Sequence, residues 1–150
     1  MIVDPDGLMR ALSGALSAPA PAGDAWALLL VHVPTYEDIR RSSGLLAANG
    51  VLADVAQRLK DFKMDLGAPG SPFSLLGYAG GSNLAALMAL TPEQATDDIA
   101  RSARAHLTAT GYLVSGIEMS LVIRTAVAVI GPGESATLAL GRADHFLRTN

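Results

Sequence analysis

Residues 73–90 read FSLLGYAGGSNLAALMAL. Two apolar runs, Phe73–Tyr78 and Leu84–Leu90, flank Ala79-Gly80-Gly81-Ser82-Asn83. Glycine reaches positive φ without the Cβ clash other residues meet, so paired glycines between strand-length apolar runs predict a β-hairpin with Gly80 and Gly81 at its tip. The wider stretch Leu66–Pro92 has no charged side chain, yet Pro69, Gly70, Pro72, Gly77, Gly80 and Gly81 interrupt it, which excludes one apolar helix. Leu84, Leu87 and Met88 do not alternate cleanly, so the hairpin is expected to expose some apolar surface, and with it a contact site.

Before the hairpin, Leu8, Leu12, Ala15 and Leu16 fall on one face of a short helix, and Ser17–Gly23 (SAPAPAG) reads as a linker. Trp26–Val33 (WALLLVHV) is a buried strand bounded by Gly23 and Pro34, and is far too short to span a bilayer, which takes about 20 apolar residues. Thr35–Ser43 is read as a helix closed by Gly44. A further helix is expected from Asn49, with Leu52, Val55, Ala56 and Leu59 as its stripe and Gly67 beyond its end.

After the hairpin, Thr91, Pro92 and Gln94 have capping-box spacing, which predicts a helix with stripe Ala95, Ile99, Ala103 and Leu107, ended by Gly111. Ser120–Ile130 reads as a strand, and Leu138, Ala139, Ala143, Phe146 and Leu147 mark a last helix. A hairpin within a strand–helix alternation predicts an α+β fold with a ferredoxin-like core, a mixed and largely antiparallel sheet flanked by helices.

The chain has 150 residues, 50% hydrophobic and 17% charged, with a formal net charge of -3, which fits one globular domain over 1–150 and argues against a nucleic-acid partner. It contains 0 cysteines, so disulfides, thiolate metal sites and cysteine nucleophiles are excluded. The acidic start MIVDPDGLMR is unlike a secretory signal, and a cytoplasmic location is expected, with no membrane partner.

The order of elements, with Gly-Gly at a hairpin tip, resembles the GGDEF domain of diguanylate cyclases over nearly the whole chain. Asp4-Pro5-Asp6-Gly7-Leu8 is similar to a shortened DPLTGL-type opening, and Leu28–Val33 falls where the family has an apolar strand ending in Asp. Tyr36, Ile39 and Gly44 fit the F-x-x-I-N-D-x-x-G segment. Gly80-Gly81-Ser82-Asn83-Leu84 stands in place of GGDEF, Thr125–Ala128 resembles the S-I-G-V-A strand, and Arg142-Ala143-Asp144 the R-A-D.

The resemblance implies two metal ions held by carboxylates at the first strand's end and on the hairpin, joining two GTP molecules across a dimer. Here those positions hold His32, Ser82 and Asn83, and no carboxylate lies between Asp65 and Glu93. No metal and no cofactor are therefore expected. The family's guanine-contacting Asn and Asp fall at Arg40 and Asn49; guanine presents donors, and arginine offers no acceptor. Arg40, Asn49, Gly80 and Gly81 remain the candidate nucleotide contacts. The family's R-x-x-D product site falls at Ser71 and Ser74, which lack its charges.

Each of these residues also has a plainer reading. His32 has no neighbouring ligand and reads as a structural histidine. His106 and His145 read as surface residues, and Arg40 and Arg41 as a solvated helix face. No P-loop or G-x-S-x-G motif surrounds the glycines. The expectation is a degenerate GGDEF domain that is not an enzyme, a regulatory or interaction module in cyclic di-GMP signalling, one part of a larger GGDEF-EAL type protein. Its expected partner is an EAL-type or other signalling domain, or itself as a homodimer. The alternatives are a sensor that binds GTP or cyclic di-GMP weakly without turnover, and a residual cyclase.

Overall fold

A computed structural model describes residues 2–20, 24–63, 72–91 and 93–149. The elements are α1 (Pro5–Leu16), β1 (Ala25–His32), α2 (Thr35–Ser43), α3 (Leu45–Lys60), β2 (Phe73–Gly80), β3 (Asn83–Leu90), α4 (Thr96–Thr108), β4 (Tyr112–Val114), β5 (Ile117–Met119), β6 (Arg124–Val129) and α5 (Ala136–Thr149). The main sheet has 4 strands in the order β2-β3-β1-β6, with every neighbouring pair antiparallel. Val3 adds a parallel bridge to Gly77. This is the α+β, ferredoxin-like arrangement that the hairpin within a strand–helix alternation predicts.

β1 is apolar throughout because both faces of this inner strand are covered. Ala27, Leu29 and Val31 point into one core with Val55, Ala56 and Leu59 of α3 and Ile99, Ala103 and Leu107 of α4. Leu28 and Leu30 point into the other, with Leu8 and Leu12 of α1 and Ala139, Ala143 and Leu147 of α5. Each fully buried leucine contributes about 2 kcal/mol. α1 starts where the sequence stops it from extending backwards: Pro5 occupies the first turn, and Asp4 Oδ1 accepts from Gly7 N at 2.6 Å.

Several boundaries differ from the sequence reading. α3 begins at Leu45, not at Asn49: Gly44, at φ 94°, ends α2 and starts α3 in one residue, and the apolar stripe extends back to Ala48. Asn49 is an interior helix residue. α4 begins at Thr96; Gln94 Oε1 does accept from Thr91 N at 2.8 Å, but this half of a capping box closes a turn before the helix. Ala95 is exposed.

The strand read over Ser120–Ile130 pairs only from Arg124; ahead of it Val122 N donates to Thr35 Oγ1 at 2.9 Å, off the sheet. The small hairpin β4–β5 escaped the reading, although Ser115 (φ 51°) and Gly116 (φ 83°) give it the two-residue, positive-φ turn that suits a hairpin. On α5, Ala139, Ala143 and Leu147 are buried as read, whereas Leu138 and Phe146 are exposed and Ala136 joins the buried face. His106 is half-buried, not a surface residue: its Nε2 lies 2.7 Å from the Arg58 carbonyl, and its ring tilts against Phe62. Gly67, Ser71, Pro92 and the end of the linker at Pro21–Gly23 lie outside the described residues.

Candidate functional site

The site is built at the end of the sheet where β1 finishes and the β2–β3 hairpin turns. Gly80 has φ 101° and Gly81 φ 56°, and Gly80 pairs with Asn83 across the turn. No atom lies near either glycine's Cβ position, so these residues are required by backbone conformation and not by space. The turn sets the register that places Asn83 directly opposite His32.

That register creates a contact. His32 Nδ1 is 2.8 Å from Asn83 Oδ1 and 3.2 Å from Ser82 Oγ. An amide oxygen only accepts, so Nδ1 carries the proton and donates, which leaves Nε2 as the nitrogen that keeps a lone pair in neutral imidazole. The turn is fixed a second time by Val33 N donating to Ser82 O at 3.1 Å. On the other side His32 pairs with Arg124 of β6, an exposed cation. Directly opposed residues in a sheet share a face, so Asn83, His32 and Arg124 form one row across three strands. Arg124 was not a sequence candidate; it becomes one only once β6 is in register with β1.

The candidates on the helices are engaged elsewhere. Asn49 Oδ1 accepts from Tyr36 Oη at 2.7 Å. Arg40 forms a close pair with Glu37, one turn earlier on the exposed face of α2, and Arg41 lies 3.8 Å from the same carboxylate. The hydrogen bond from Arg40 holds the Glu37 carboxyl below its ordinary range. Among the described residues, no hydrogen bond joins Arg40 or Asn49 to Gly80 or Gly81. Ser74 is exposed on β2, at the bulge between Phe73 and Leu75.

One expectation about the hairpin fails. Leu84, Leu87 and Met88 are fully buried, because β3 lies between β2 and β1 with helices over both faces. The imperfect alternation reflects burial on two sides and not an exposed apolar patch.

The family model described as "Diguanylate cyclase, GGDEF domain" matches residues 7–150. The chain belongs to the GGDEF family. Among solved structures this GGDEF domain resembles the diguanylate cyclase SiaD of Pseudomonas aeruginosa, solved with its activator SiaC, at TM-score 0.75 and 17% identity over 97% of this chain. The domain spans 54% of the SiaD chain. A sensory box/GGDEF family protein of Caulobacter crescentus matches at TM-score 0.75 and 19% identity, covering 99% of this chain and 92% of the other. The GGDEF domain of DgcB from the same organism, solved with c-di-GMP, matches at TM-score 0.73 and 17% identity, covering 99% and 84%. At these identities the structures establish the fold. No curated protein sequence matches. No described helix is long and apolar enough to cross a membrane.

Proposed function

We propose that this GGDEF domain lacks diguanylate cyclase activity and acts as a regulatory or protein-interaction module in cyclic di-GMP signalling. The observation that carries this reading is the hydrogen-bonded set His32, Ser82 and Asn83. Divalent cations that neutralise phosphate take hard oxygen ligands, carboxylates above all. This set supplies an imidazole, a hydroxyl and an amide, with the imidazole Nδ1–H donating to the amide oxygen. It does not fit such a cation. Among the described residues no group of 3 or more His, Asp or Glu side chains is placed to hold one elsewhere.

The base-binding positions support the same reading. Asn49's amide oxygen already accepts from Tyr36, and Arg40 is turned to Glu37 and has no acceptor, so guanine's donors find at most one remaining lone pair between them. SiaD was solved in complex with an activator protein, SiaC, and an EAL/GGDEF protein of M. capsulatus shares the fold at TM-score 0.69. We take residues 1–150 to be one such module, working in the cytoplasm against an EAL-type or other signalling domain or a second copy of itself. Exposed apolar side chains outside the β2–β3 hairpin include Leu46 on α3, Ile117 on β5 and Val122.

The test is product formation. Purified domain incubated with GTP and Mg²⁺, or with Mn²⁺, should yield no cyclic di-GMP above background. Turnover that disappears in Asn83→Ala would overturn the reading.

A further inference from the structure

A concave space lies at the pole opposite the hairpin, about 23 Å away along β1. A cavity of about 590 Å³ opens between the end of α1, the start of β1 and the turn before α5. Its walls are mostly apolar, with Leu16, Pro19, Trp26, Ile130 and Pro132 among them. The volume is within the range of small-molecule sites, which bury most of a ligand against apolar walls and orient it with a few polar groups.

Those polar groups are unusually one-sided. Among the described residues, the charged side chains in the lining are Asp24 and Glu134, with no Lys, Arg or His. Glu134 is already neutralised: Arg142 Nε donates to Oε2 at 2.6 Å, and Gly131 N donates to Oε1 at 2.9 Å. Asp24, half-buried, makes no hydrogen bond or ion pair with a described residue. The indole of Trp26 is held by its N–H, which donates to the Ala18 carbonyl at 3.0 Å. That bond fixes the polar edge of the ring on the chain, and Trp26 is the aromatic residue of the lining.

We propose that this cavity binds a small organic cation, an ammonium or amidinium carrying an apolar group, with Trp26 as the aromatic wall and Asp24 as the counter-charge. An aromatic face attracts a cation through its quadrupole, and the attraction grows as water is excluded. A carboxylate with no partner among the described residues completes the pair, and apolar walls of this size take the rest of the ligand. The site is independent of the hairpin and holds whether or not the domain is a cyclase.

Trp26 is the 1 tryptophan in the chain, so its fluorescence reports on this cavity alone. The experiment titrates the protein with benzyltrimethylammonium, and separately with benzenesulfonate as the matched anion. Amide shifts of Ile130 and Gly133 give a second readout. The expected result is a saturable change with the cation in both signals, none with the anion, and about tenfold weaker cation binding in Asp24→Asn. The proposal is overturned by equal response to the two probes, by unchanged affinity in Asp24→Asn, or by no saturable change in either signal up to about 10 mM cation.

Discussion

At the scale of single residues, a few side chains do the work of several by bridging elements. Arg142 is one. From α5 it reaches Glu134 in the preceding turn and the carbonyl of Val129 on β6, so one guanidinium fixes how the last helix leaves the sheet. The hydrogen bond from Arg142, together with that from Gly131 N, holds the Glu134 carboxyl below its ordinary range. A carboxylate with a lowered folded-state pKa stabilises the fold above its unfolded value, and that contribution is lost as pH falls through the folded value. Arg142→Met should therefore destabilise the domain by about 1 kcal/mol near neutral pH, discounted for the half-exposed guanidinium. The difference from wild type should shrink below about pH 4, and denaturant titrations at a series of pH values would show it. None of this was legible from the R-A-D resemblance, because the partner Glu134 is set by a turn and not by a motif.

At the scale of elements, close approach and burial make the sharpest expectations. On β2, a Cβ on Gly77 would stand 2.6 Å from Val3 Cγ2 and 2.9 Å from the Val3 carbonyl, where Val3 and β2 exchange backbone bonds. Gly77→Ala should cost about 1–3 kcal/mol or detach the Val3 segment, and thermal melts with exchange at the Val3 amide would distinguish the two. Tyr112 on β4 is buried, donates to the Leu107 carbonyl at 2.7 Å and lies under the Arg58 guanidinium. Burial raises its pKa, with Arg58 opposing. The folded state holds the phenol proton to higher pH than the unfolded chain, so stability should fall as pH rises above about 10, and Tyr112→Phe should flatten that slope. The long elements were readable from the sequence because their stripes and glycines agree; β1, α1 and the β2–β3 hairpin are examples. The misplaced ends share a cause. Asn49 and Thr91 carry capping chemistry that the chain uses for a side-chain bond and a turn, and Ser120–Ile123 has strand composition but finds no strand beside it. Likewise Ser82 and Asn83 were visible as hairpin residues, while their bonds to His32 depend on a register that only the paired sheet supplies.

At the scale of the whole molecule, the two helical layers are built differently. The layer of α3 and α4 packs large aliphatics on the sheet, whereas α5 lies on it through Ala136, Ala139 and Ala143, facing Ala126 and Ala128. Small residues on both sides bring the helix axis close to the strands, leaving no room for growth. Ala139→Leu should destabilise by about 1–3 kcal/mol or tilt α5, whereas enlarging the exposed Thr137 should cost little; urea unfolding of both variants tests the contrast. The position of β6 as the last strand has a consequence for solvent exchange. Ile130 N donates to the Trp26 carbonyl at 2.8 Å, and that one bond sets the phase of the antiparallel ladder with β1. Ala126 and Ala128 then turn their amides toward β1, while Thr125, Val127 and Val129 turn theirs outward, in agreement with the outward Val129 carbonyl taken by Arg142. In deuterated buffer the strand should lose its protons in alternation, Thr125, Val127 and Val129 quickly and Ala126 and Ala128 only on global opening. A ligand strand that closed this edge would erase the alternation residue by residue.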